Sequence, residues 1–136
     1  MKYLTFFLVG IIFVSNTCSN KNDKDCHTSI TIFNNSDKAI YFHISPAYSD
    51  TLILDFNPTE ANKDFKIEKF SSKKDIFRSC IEGKFYNSSE IRYFIYDAQI
   101  LDSTPWDTIV NNYMILKRFD LSLEDLQKMN WTISYL

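Results

Sequence analysis

The chain has 136 residues, a formal charge of −2 at pH 7 and only two glycines, Gly10 and Gly83. So little glycine excludes phosphate-cradling loops of the Walker or dinucleotide type, and the lack of a Lys/Arg cluster excludes a stripe that could follow a nucleic-acid backbone. Twelve Phe and eight Tyr point instead to a small domain packed around rings.

Lys2 precedes an apolar stretch from Leu4 to Val14, about half the roughly 20 residues a membrane-spanning helix needs. One basic residue, a short apolar core and the polar exit Ser15-Asn16-Thr17 are the layout of a secretory signal peptide, expected over 1–17. Cleavage before Cys18 is the lipoprotein route, in which a diacylglyceryl thioether replaces the thiol. Ser15 and Thr17 stand where a lipobox usually has Leu and a small residue. The alternative is plain secretion with Cys18 unmodified, for which Ser15-Asn16-Thr17 is a poor cleavage site. Residues 18–25 then form the lipidated cysteine and a polar tether, and 26–136 a single β-rich domain. With Cys18 taken by the anchor, Cys26 and Cys80 are left to pair in an oxidising compartment; two buried free thiols are the alternative.

Within the domain, Ile30 and Ile32, then Ile40, Phe42 and Ile44, alternate with their neighbours around Asn34-Asn35-Ser36-Asp37, which reads as a hairpin and its turn. Tyr41 and His43 fall on the face opposite that stripe. A loop is expected from Ser45 to Thr51, then a short strand Leu52–Phe56 and a second loop from Asn57 to Lys63. Phe65–Phe70 reads as a strand broken by Ser71-Ser72-Lys73-Lys74. Asp75–Phe85 fits either a short helix or an irregular strand. Ile91–Asp97 is apolar on both faces, as a central strand covered on both sides requires. Thr104-Pro105-Trp106-Asp107 reads as a helix start, with Thr104 as cap and Trp106, Ile109, Val110 and Tyr113 at helical spacing. Met114–Leu121 reads as a strand. Ser122 to Asp125 is a capping box with a Leu121–Leu126 staple, and Trp131–Tyr135 alternates as a closing strand. The sum is an α+β domain, mainly antiparallel with a sandwich-like sheet core and two short C-terminal helices.

Two blocks, Trp106-Asp107-Thr108-Ile109 and Tyr113 through Leu126, together with Asn130 to Tyr135 and the Asn34 to Phe42 segment, resemble a set of short Bacteroidetes lipoproteins without an assigned activity. The likeness spans nearly all of the mature chain. It implies an envelope location in a gut-type anaerobe and carries over no functional residue.

Several residue sets bear on function. Asp97, Asp102 and Asp107 surround one strand end and the helix after it; two such acids a few ångströms apart are the equipment of a glycoside hydrolase. Each also has a structural use: Asp97 ending a strand, Asp102 in a loop, Asp107 capping a helix. Asp25, Cys26, His27 and His43 are metal-ligand types, but no His-x-x-x-His or Cys-x-x-Cys spacing joins them, so neither a metal nor a cofactor is expected. Cys80 with His43 has the residue types of a thiol nucleophile and nothing more. Phe42, Phe94 and Tyr113 are assigned to the core, and Trp106 and Trp131 are expected to be buried. Tyr41, His43 and Tyr48 are the side chains expected to face solvent and form a binding surface. The expectation is a non-catalytic interaction module, held by lipid at the outer membrane on its periplasmic or outer side and binding an envelope protein, a glycan or a toxin. The alternative is a small hydrolase using the Asp97–Asp107 region.

Overall fold

The computed structural model describes residues 26–45, 56–61, 64–86 and 89–136. The expected signal peptide and polar tether, Cys18, Tyr48, and the expected strand Leu52–Phe56 up to residue 55 lie outside them. Among the described residues, seven strands form two sheets: β1 (Ser29–Asn34), β2 (Ile40–Ser45), β3 (Lys66–Ile67), β4 (Ser71–Ile76), β5 (Ile91–Asp97), β6 (Lys117–Leu121) and β7 (Thr132–Tyr135). One sheet has the order β4-β1-β7, the other β3-β2-β5-β6. All pairings are antiparallel except β1 with β7. Three short helices, α1 (Ala98–Ser103), α2 (Trp106–Asn111) and α3 (Leu123–Lys128), and a 3-10 helix, Ile81–Tyr86, complete the α+β architecture.

The main core lies between the sheets. Ile30, Ile32 and Ile133 from the three-stranded sheet meet Ile40, Phe42, Tyr93 and Ile95 from the other. A second, smaller cluster covers the outer face of the four-stranded sheet, where Phe94 and Tyr96 pack under Leu101 of α1 and Ile109 of α2. β5 is therefore buried on both sides, as its double-faced apolar sequence requires. Alternation sorts its residues: Ile91, Tyr93 and Ile95 face the inter-sheet core, and Phe94 and Tyr96 the outer cluster.

β1 and β2 do not form the expected hairpin. They belong to different sheets and face one another across the core, so the Asn34–Lys38 segment is an arch between layers. Asn34 explains it: the side chain is buried, not displayed at a turn tip. Its Nδ2 donates to the carbonyls of Lys38 (2.7 Å) and Glu68 (3.0 Å), and its Oδ1 accepts from Ser36 Oγ (2.7 Å). A fully satisfied buried amide holds the arch where a tight turn would have needed only tolerance of unusual backbone angles.

The expected Phe65–Phe70 strand shrinks to Lys66–Ile67, and the segment read as its break, Ser71–Lys74, is most of β4. β4 is an edge strand, so its outward residues need not be apolar; the residue it buries, Asp75, gives no apolar signal. The ambiguous segment resolves into the end of β4 and the 3-10 helix. Helix α1 has no separate signal in the sequence, because the apolar run of β5 passes straight into it at Asp97. Thr104 lies at the C-terminal end of α1 rather than capping α2, and the N-cap of α2 is Pro105, which makes no side-chain cap bond. Tyr113, assigned to the core, is 45 % exposed with φ 50° in the link after α2. Trp131 is buried as expected, whereas Trp106 is half-buried. The second capping box is present as expected: Ser122 Oγ accepts from the Asp125 backbone N–H, and the Asp125 carboxylate accepts from the Ser122 N–H. Leu121 and Leu126 are both buried in the inter-sheet core.

Candidate binding groove

β5 ends where α1 begins, and one side chain makes the junction. Asp97 Oδ1 accepts from the backbone N–H of Gln99 (2.9 Å) and Ile100 (3.2 Å), satisfying two orphan donors of α1. Lys38, at the end of the Asn34 arch, brings its Nζ to 3.6 Å from Asp97 Oδ2. Further along α1, Asp102 faces the neighbouring strands. Its Oδ1 accepts from the Tyr41 hydroxyl (2.8 Å) and its Oδ2 from Lys66 Nζ (2.7 Å). Strand pairing sets Tyr41 directly opposite Lys66, and the ammonium lies 5.4 Å from the ring centroid.

Between these groups runs a groove of about 550 Å³, lined by Lys38, Lys66, Asp97, Gln99, Asp102 and Ser103 among others. Its charges are matched. The hydrogen bond from Lys66 holds the Asp102 carboxyl below its usual range, with Tyr41 adding to the effect against partial burial. The same contact raises the Lys66 ammonium. Partial burial, and then Asp102, push the Tyr41 phenol up. Each lysine is paired with an aspartate, and Asp102 is kept ionised, which is the opposite of what a general acid needs.

Of the three carboxylates singled out in the sequence, Asp97 and Asp102 both line this groove, while Asp107 is exposed in the first turn of α2 and is not among the groove's lining. Asp102 sits on a helix, not in a loop. Tyr41 is half-buried beside the groove. His43, expected to share its exposure, is 6 % exposed: its ring stacks on Phe56 at 4.7 Å with Phe65 edge-on at 6.2 Å. Burial depresses its pKa to about 4, against a smaller opposing influence of Asp75. His43 therefore belongs to the packing and not to a displayed surface. Lys38, Lys66 and Gln99 escape a reading of the sequence alone. Lys66 is legible in principle, since antiparallel pairing of two alternating strands puts some polar residue opposite Tyr41.

At the other end of the molecule Cys26 and Cys80 form a disulfide, with 5.0 Å between their Cα atoms. Beside it, Glu82 accepts the His27 backbone N–H and meets His27 Nδ1 at 2.6 Å, and the imidazole stacks on Trp131 with ring centroids 3.9 Å apart. Burial works to raise the Glu82 carboxyl, but the His27 hydrogen bonds outweigh it and hold it low. The two sulfurs and the Glu82 carboxylate lie within 4.8 Å of one another; here the sulfurs are bonded together, and Glu82 holds the chain at His27 against the 3-10 helix. His43 is not part of this cluster, and Asp25 lies outside the described residues.

Comparison with known proteins gives no match: no family model, no curated protein and no solved structure matches the chain.

Proposed function

We propose that the protein is a non-catalytic binding module of the cell envelope, lipid-anchored through Cys18, whose binding face is the groove bounded by Tyr41, Lys66 and α1. The observation that carries this reading is the pairing of the groove's charges: Lys38 with Asp97, and Lys66 with Asp102 and Tyr41. A groove of matched ion pairs beside an aromatic ring suits a neutral, polyhydroxylated ligand. Sugar hydroxyls can bond to a carboxylate and an ammonium together, and Gln99 adds an amide, with the Tyr41 ring beside the groove against Lys66. A glycan is the ligand class this favours over a protein or a toxin. The envelope address rests on the signal-peptide layout, on Cys18 and on the resemblance to short Bacteroidetes lipoproteins. The Cys26–Cys80 disulfide supports it, because such bonds persist in oxidising compartments.

Two experiments test the parts separately. Fractionation of cells carrying Cys18→Ala should move the protein from membranes to the soluble fraction; continued membrane association would remove the anchor. Purified protein retained on immobilised envelope or host polysaccharide should lose retention on Tyr41→Ala or Lys66→Ala while both variants stay folded by circular dichroism. Cleavage of the polysaccharide, lost on Asp102→Asn, would replace the binding reading by a hydrolase.

A further inference from the structure

Among the described residues the two sheets have four edges, and they are not equivalent. β3 is two residues long. β4 has Lys73 and Lys74 at its centre, so pairing with a second β4 would set lysine opposite lysine, the charge blunting by which edge strands avoid association. β7 presents Thr132 and Ser134 outward and carries no charge. β6, at the free end of the four-stranded sheet, is different in kind. Its sequence is Lys117-Arg118-Phe119-Asp120-Leu121, with opposite charges placed symmetrically about Phe119.

We propose that β6 is the seam of a homodimer, in which two copies pair antiparallel about a two-fold axis at Phe119. That register sets Arg118 of each copy opposite Asp120 of the other, on the outer face of the sheet. Within one copy Arg118 Nε already donates to Asp120 Oδ2 at 2.7 Å, and Arg92 donates to the other carboxylate oxygen. The Arg118 guanidinium is bonded to Asp120 and to Tyr113 of its own copy; the paired register sets it directly opposite Asp120 of the other copy, at the cross-strand separation where opposite charges attract. The two cross-strand ion pairs are isologous, as a two-fold interface demands. On the opposite face Lys117 lies over its own Phe119 ring at 4.9 Å.

The residues leading into β6 support the same occupant. Tyr113, Met114 and Leu116 are 45 %, 36 % and 45 % exposed, a run of large apolar side chains beside an open strand. The Phe119 axis places Leu116 opposite Ser122 of the copy, where α3 begins, so this run is laid along the copy's helix instead of in water. The result is a continuous sheet of eight strands, four from each copy, with a groove near each far end. Two low-affinity grooves on one rigid body would hold a repetitive polymer far more tightly than one.

The test uses the full lipidated protein. In detergent, sedimentation should give a dimer. Arg118→Glu, which sets an acid opposite Asp120 of the copy, should weaken that dimer about tenfold or more while the variant stays folded by circular dichroism. In whole cells Phe119→Cys should yield a disulfide-linked dimer on a non-reducing gel, since directly opposed antiparallel residues have Cα atoms about 4.5–5.5 Å apart, within disulfide reach. Lys73→Cys on the blunted edge should not. A monomer without the Phe119→Cys cross-link would overturn the proposal, as would a dimer that neither Arg118→Glu weakens nor Phe119→Cys traps.

Discussion

The two apolar clusters on either side of β5 are built to different standards. Between the sheets, polar groups that enter the core are satisfied. Asn34 bonds to Ser36, Lys38, Ile67 and Glu68 around the arch, and the Tyr93 hydroxyl crosses from β5 to donate to buried Asp75 of β4 at 2.9 Å. Under α1 and α2, by contrast, the Tyr96 hydroxyl and the Trp106 indole N–H are buried and find no hydrogen-bond partner among the described residues, although their rings meet at 5.9 Å. The same side displays Tyr113, Met114 and Leu116. An unpaired buried donor costs on the order of 1–3 kcal/mol, so a layer that tolerates two is not the one that specifies the fold. The inter-sheet core does that, and the outer layer carries the groove and the β6 edge at its borders.

If that division is right, perturbations that bear on the inter-sheet core should dominate stability. The largest effect belongs to the disulfide, which fastens the chain entering β1 to the 3-10 helix whose Ile81 lies in that core. Replacing Cys26 and Cys80 by Ser should cost about 4 kcal/mol on the loop-entropy model for a separation of 54 residues, read from urea unfolding. A cost near zero would mean that the packing alone holds this corner. Next comes acid. His43 has a folded pKa of about 4 against 6.5 unfolded, so below pH 6.5 the unfolded chain takes up a proton that the fold refuses. Stability should then fall by about 3 kcal/mol between pH 6.5 and 4. Thermal melts across that window should show the slope in the wild type and a reduced one in His43→Phe.

The sharpest contrast is between two tyrosines of one strand. Tyr93→Phe leaves Asp75 buried without that donor and should cost about 2 kcal/mol. Tyr96→Phe removes a hydroxyl with no partner among the described residues and should leave the unfolding free energy unchanged or slightly raised. Equal costs would erase the distinction between the clusters. The smallest effect is at Ser122, whose cap positions α3 and its buried Leu126; Ser122→Ala should lower stability by about 1 kcal/mol in the same urea experiment.

The parts of this architecture legible in the sequence are those written in local chemistry. β5 shows burial on both faces, Ser122-Leu123-Glu124-Asp125 shows a capped helix, and Cys26 and Cys80 show a bond. The hidden parts depend on partners far along the chain. Alternation shows that β1 and β2 are strands, but not that they lie in different sheets; that turns on Asn34 reaching Glu68, 34 residues away. Helix α1 is masked because Asp97 is at once the last residue of an apolar strand and the N-cap of the next element. The groove is half legible: Tyr41 and the acids at 97 and 102 stand out separately, but their convergence needs Lys66, which only strand pairing brings to Tyr41. His43 misleads because alternation assigns a face and says nothing of the Phe56 ring stacked on it.

Binding without cutting is tested most directly on a glycan array probed with wild-type, Tyr41→Ala and Asp102→Asn protein, with mass analysis of the arrayed chains afterwards. The groove reading predicts that wild type retains a defined subset of glycans, that Tyr41→Ala loses them, and that no chain is shortened. Shortened chains under wild type but not Asp102→Asn would contradict it, and so would a subset retained equally by wild type and Tyr41→Ala.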